Sequence, residues 1–161
     1  MKHLSILTIT MIALSSFMAT TVWAGPHFIS GPTASLDTTT GDYVVSFKEA
    51  GLGSTAVTYT LTAGTGTLFT FQCFTKSNNM PMGDPNGVSG SGETTFVSIT
   101  PHNGQINGSI SLAPEQDGAG CQGGGLVLKL IAVDWDSVTF TDSATGNTIT
   151  LPDACSGSGC P

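Results

Sequence analysis

Apolar and polar residues alternate with a period of two along much of this chain, and that alternation restricts it to β-strands. In residues 57–63 every second residue is apolar and the residues between are threonines. Residues 43–47 and 105–112 repeat the pattern. Successive side chains of a strand point to opposite faces, so these segments predict strands with one buried and one polar face.

Short strands separated by glycine-rich turns predict an all-β fold. We expect about eight or nine strands. Gly64-Thr65-Gly66 is predicted to close a hairpin between the strand at 57–63 and the strand that contains Phe69, Phe71 and Cys73. Residues 77–92 and 113–125 are expected to be loops, and 126–133 a central strand or one buried on both faces. The expected architecture is an antiparallel β-sandwich, immunoglobulin-like in arrangement.

The first 24 residues have the layout of a secretory signal peptide. Lys2 and His3 precede an apolar run over 4–22, and Val22-Trp23-Ala24 is a small-x-small cleavage site. Cleavage after Ala24 leaves 25–161 as one domain with a Gly/Ser/Cys-containing tail. We therefore expect an exported protein, secreted or periplasmic, without a membrane span.

Charge is scarce and mostly negative after the leader. All eleven acidic residues but only three of the four lysines follow Ala24, and the chain has no arginine. Phosphate-rich partners need cationic side chains, so the composition argues against nucleic acid and anionic membranes.

Several motifs resemble those of a group of small secreted β-rich proteins from bacteria and fungi. The run Phe47-Lys48-Glu49-Ala50-Gly51-Leu52-Gly53 is the most specific, and 57–61, 71–74, 103–109 and 138–142 extend the similarity in the same order. The resemblance implies one exported all-β domain. It transfers no catalytic residue.

Four cysteines in an exported chain favour disulfide bonds over metal or redox chemistry. Cys73 and Cys121 can tie a strand to the loop before the next, and Cys155 and Cys160 bracket a short terminal loop. Four cysteines permit three pairings, and the sequence does not choose among them.

Candidate ligand-binding residues surround Trp135. Asp134 and Asp136 are two apart on a strand and therefore point the same way, a spacing suited to Ca²⁺ or to paired carboxylates. Trp135 is predicted to be exposed and able to stack on a sugar ring. Solvated edge or turn residues remain the alternative for both acids, and Glu115 with Asp117 form a second acidic pair.

Metal sites have weaker candidates. His27 would be third from the new N-terminus, but Pro26 lacks the amide proton that a copper site there needs. Met80 and Met82 have a spacing used for Cu(I), with His102 as a third ligand, although loop methionines more often cover apolar surface. We expect no cofactor. Asn107-Gly108-Ser109 is a glycosylation sequon on an outward-facing position.

Three function classes remain. A non-catalytic extracellular structural or interaction module is favoured, with an extracellular glycan or protein as partner and self-association through unpaired edge strands. The alternative is a carbohydrate-binding module using Trp135 and the neighbouring acids. An enzyme is least favoured, because the sequence has neither a Gly-x-Ser-x-Gly nor a His-Glu-x-x-His motif.

Overall fold

The computed structural model describes residues 24–116, 118–157 and 160. The predicted leader falls almost entirely outside them, as does Asp117. The described residues form eleven β-strands and no helix. The strands are β1 His27–Leu36, β2 Tyr43–Ala50, β3 Val57–Thr62, β4 Leu68–Thr75, β5 Pro81–Ser89, β6 Thr94–Ile99, β7 Gln105–Leu112, β8 Leu126–Trp135, β9 Thr139–Asp142, β10 Thr148–Thr150 and β11 Ala154–Gly157.

Every strand pairing within the three sheets is antiparallel. The first sheet has the order β1-β2-β7, the second β10-β9-β3-β6 and the third β11-β8-β4-β5. The predicted all-β antiparallel sandwich is confirmed, with eleven strands where eight or nine were expected. In the pairing of β1 with β2, Thr33 lies opposite Ser46 and Leu36 opposite Tyr43.

The second and third sheets continue into each other at a corner. Consecutive strands pass between these two sheets at β3–β4, β5–β6 and β8–β9, and backbone hydrogen bonds join the connecting segments. There the amide of Gly64 donates to the carbonyl of Asp136 over 3.0 Å, and the amide of Ala63 donates to the carbonyl of Glu93 over 2.8 Å. The two sheets are thus halves of one bent layer that faces the first sheet.

This corner makes the predicted hairpin at 64–66 wrong. Strand β3 pairs with β6 and β9, whereas β4 pairs with β5 and β8. The glycines carry the chain from one sheet to the next instead of reversing it, because Gly64 and Gly66 leave room for the backbone and carboxylate of Asp136.

Three other segments differ from expectation. The predicted loop 77–92 contains β5, which lies at the edge of the third sheet and is almost wholly exposed, so it lacks apolar alternation. Strand β8 is internal to its sheet, as predicted, but only partly buried along most of its length. The C-terminal tail supplies the edge strand β11.

Aromatic rings fill the interior between the layers. Trp135 lies 4.8 Å from the Phe69 ring and 5.9 Å from the Tyr43 ring, measured between centroids. Its indole N–H donates to the carbonyl of Gly41 over 2.9 Å, and the Tyr43 hydroxyl donates to the carbonyl of Pro152 over 2.6 Å. The polar ends of these rings are therefore satisfied inside the fold.

The described residues contain two disulfide bonds. Cys73 of β4 is bonded to Cys121 in the β7–β8 loop, and Cys155 of β11 to Cys160. These are the two pairs that the spacing accommodated.

Candidate interaction face

The outer face of the second sheet is built almost entirely from threonine. Residues with inward side chains, such as Tyr59 and Phe140, alternate along its strands with residues that point outward. We call the outward set the threonine face. It consists of Thr58, Thr60, Thr62, Thr94, Phe96, Ser98, Thr139, Thr141, Thr148 and Thr150.

Strand register aligns these residues in two ranks across four strands. The first rank runs from β10 to β6 as Thr150, Thr139, Thr62 and Thr94. The second rank has the same order of strands and consists of Thr148, Thr141, Thr60 and Phe96. Sheet geometry spaces neighbours by roughly 4.8 Å across the strands and roughly 6.7 Å along them.

Hydrogen bonds between neighbouring hydroxyl groups fix side chains within the ranks. The Oγ1 atoms of Thr141 and Thr148 lie 2.9 Å apart, and the Oγ1 of Thr94 donates to that of Thr62 over 3.1 Å. β-Branched side chains already have few χ1 rotamers. These four hydroxyl groups are therefore held by their neighbours and do not rotate independently.

The threonine face is uncharged, although the whole chain has a formal net charge of −7. Phe96, at the β6 end of one rank, is 73% exposed, the most exposed of the large hydrophobic residues described. In the register of β3 and β6, Phe96 lies opposite Thr60. A surface of methyl, hydroxyl and phenyl groups suits a neutral partner better than an ionic one.

A buried acidic cluster lies beneath this face. Glu49 of β2 is 0% exposed and Asp142 of β9 is 1% exposed. The Tyr59 hydroxyl donates to Oε2 of Glu49 over 2.6 Å, whereas the buried Oε1 of Glu49 accepts no hydrogen bond from the described residues. A proton on Glu49 would let this carboxyl donate to the neighbouring Asp142.

Burial raises the pKa of Glu49 above its ordinary value, the hydrogen bond from Tyr59 lowers it, and the adjacent Asp142 carboxyl raises it further. Burial and the Glu49 carboxyl also raise the pKa of Tyr59. Asp142 itself accepts hydrogen bonds from the amides of Ala144 and Thr145 and from the Thr145 hydroxyl. Sequence analysis missed this cluster, because an isolated Glu in Phe47–Gly53 does not show which residues face it.

Trp135 is not exposed as predicted. Its exposure is 0%, and its ring packs between the layers with its N–H bonded to Gly41. The strand continues through Trp135, so alternation turns this residue inward and Asp134 outward. A ring held this way offers no face to a sugar.

Asp134 and Asp136 do share one surface cleft, together with Asp153 and Gly66. Asp134 is exposed and Asp136 half-buried. Asp153 also accepts a hydrogen bond of 2.9 Å from the amide of Ser137. Across residues 24–116, 118–157 and 160, no three His, Cys, Asp or Glu side chains are grouped so as to hold a metal ion.

The weaker metal candidates lie on separate elements. Met80 precedes β5 and Met82 lies within it, and they are 56% and 49% exposed. His102 lies in the turn between β6 and β7, which belong to the second and first sheets. His27 is exposed on β1, with Nδ1 2.8 Å from the carbonyl oxygen of Gly25. Asn107 is exposed on β7.

The described residues contain no helix of the length and hydropathy required to cross a membrane. No protein-family model, curated protein or solved structure matches this chain, and the similarity to small secreted β-rich proteins therefore stays a prediction.

Proposed function

We propose that this protein is exported and acts outside the cell as a non-catalytic, disulfide-stabilised interaction module, with the threonine face as its binding surface. The ordered, uncharged array of hydroxyl groups on β10, β9, β3 and β6 is the observation on which the proposal rests. Two disulfide bonds support an oxidising location. The predicted leader supports export.

Rigidity favours binding through this face. A surface whose side chains are already fixed loses less conformational entropy on contact than a mobile one. The interior beneath it is packed, since Tyr59 and Phe140 are both fully buried and their rings lie 5.7 Å apart.

Carbohydrate binding is a second candidate for the same face, now centred on Phe96 rather than Trp135. The exposed Phe96 ring, on a residue paired in register with Thr60, offers a stacking surface on a face rich in hydroxyl groups. In this case binding would concentrate at the β6 edge.

Retention on insoluble extracellular polysaccharides and on the producing cells tests the proposed function. We expect the wild-type protein to be retained and a Thr60→Lys/Thr141→Lys variant to be released, because lysine disrupts the second rank. Ser46→Lys/Ser111→Lys, on the outward face of the first sheet, is the matched control. Equal retention of both double variants would exclude the threonine face as the binding surface. Intact-mass analysis should show an N-terminus at Gly25 and four oxidised cysteines.

A further inference from the structure

We propose that the partner of the threonine face is the surface of crystalline ice, so that the proposed interaction module is an ice-binding protein. This inference rests on the proposed function and names its partner. Three features of the face support it: the spacing of the ranks, the chemistry of threonine and the lack of charge.

The spacing of the ranks is two-dimensional. Thr148 and Thr150 on β10 are matched in register by Thr141 and Thr139 on β9, and those by residues of β3. Ideal strand geometry puts these ranks on a grid of roughly 4.8 Å across strands and roughly 6.7 Å along them, so the face can meet many equivalent sites of a crystal surface at once. A single soluble polymer chain needs no such two-dimensional order.

Threonine combines the two groups that hold water in a lattice. Its methyl group orders water around itself without competing for hydrogen bonds. Its hydroxyl group both donates and accepts, so it can replace a water molecule in the lattice. The bonds between Thr141 and Thr148 and between Thr62 and Thr94 hold these groups in place before contact.

The lack of charge selects against ionic partners. Lysine and carboxylate groups bind tightly organised hydration shells that do not fit an ice lattice, and none of the ten residues of the threonine face is ionisable. The acidic residue on this sheet, Asp142, points inward and is buried. A face of this composition in so acidic a chain fits a neutral surface.

Incorporation of the full-length exported protein into slowly grown ice tests the inference. We expect wild-type protein to be enriched in the ice fraction, and Thr60→Lys/Thr141→Lys to lose this enrichment by about tenfold, comparable to the loss of about one net hydrogen bond. Ser46→Lys/Ser111→Lys should behave as wild type. Thr141→Val, which removes one hydroxyl group and keeps the shape, guards against misfolding and should reduce enrichment partially.

The outcomes separate the inference from the proposed function. Exclusion of wild-type protein from ice would overturn ice binding. If the same protein is retained on a polysaccharide and Phe96→Ala abolishes the retention, the interaction module stands and its partner is a glycan. Exclusion from ice without retention on polysaccharide or cells overturns both.

Discussion

The Tyr59 hydroxyl donates a hydrogen bond of 2.6 Å to Oε2 of Glu49 between the two layers of the sandwich. Glu49 belongs to the first sheet and Tyr59 to the second, so this bond is a polar link between the two layers. A carboxyl group buried this deeply is costly to ionise. The pair therefore couples stability to pH.

We predict that the protein loses stability as the pH rises above about 4.5, the ordinary pKa of Glu49. Burial raises the pKa of Glu49 in the folded protein, which therefore binds this proton more tightly than the unfolded chain does. The stability that this proton contributes is fully present below the pKa of Glu49 in the unfolded chain. It is lost as the pH rises through the pKa of Glu49 in the folded protein. Urea unfolding at a series of pH values measures the slope.

Glu49→Gln should flatten this pH dependence, because an amide has no proton to lose and can still accept from Tyr59. Asp134→Asn, at an exposed carboxyl group, should keep the wild-type slope. An unchanged slope in Glu49→Gln would assign the pH dependence to other groups.

Removal of the Tyr59 hydroxyl should lower the free energy of unfolding more than removal of the Tyr43 hydroxyl. Tyr59→Phe leaves Oε2 of buried Glu49 without its donor, which we expect to lower the free energy of unfolding by about 1–3 kcal/mol. Tyr43→Phe removes a bond of equal length, but its acceptor carbonyl belongs to the exposed Pro152, which water can reach. We expect a cost there of about 1 kcal/mol or less. Equal losses in chemical denaturation would contradict this account.

Alternation correctly predicted the strands that lie against the core. The period-two pattern of 57–63 showed that Thr58, Thr60 and Thr62 point outward. It could not show that β9 and β10 bring further threonines into register, because register depends on which strands pair. The same limit hid Glu49 and Tyr59, which are ten residues apart and on different sheets.

Trp135 was misassigned for a local reason. Its carboxylate neighbours suggested an exposed position, but β8 continues to Trp135, and alternation buries this residue while Asp134 faces outward. Strand β5 was missed because its own sequence has no apolar alternation. At a sheet edge, main-chain pairing with β4 can hold a segment that has no apolar face.

The longer disulfide loop should contribute more stability than the shorter. Cys73 and Cys121 are 48 residues apart and Cys155 and Cys160 only 5. In the chain-entropy model, replacing each pair by alanine lowers the free energy of unfolding by about 4 and about 2 kcal/mol respectively. Guanidinium denaturation of the two double variants measures the difference. A larger loss of unfolding free energy on replacing Cys155 and Cys160 would show that packing around the bonds, and not loop closure, determines how much stability they contribute.

The corner of the bent layer depends on the missing side chain of Gly90. A Cβ there would lie 2.5 Å from two ring carbons of the buried Phe69 and 2.8 Å from Cγ2 of Thr67. Because Phe69 is fully buried among other rings, it has little room to move. We expect Gly90→Ala to cost about 1–3 kcal/mol through overpacking. Gly87→Ala, whose Cβ would meet only Cδ1 of Leu68 at 3.5 Å, is the matched control and should be close to neutral. Thermal unfolding compares them, and equal midpoints for the two variants would mean that the corner adjusts to a larger residue.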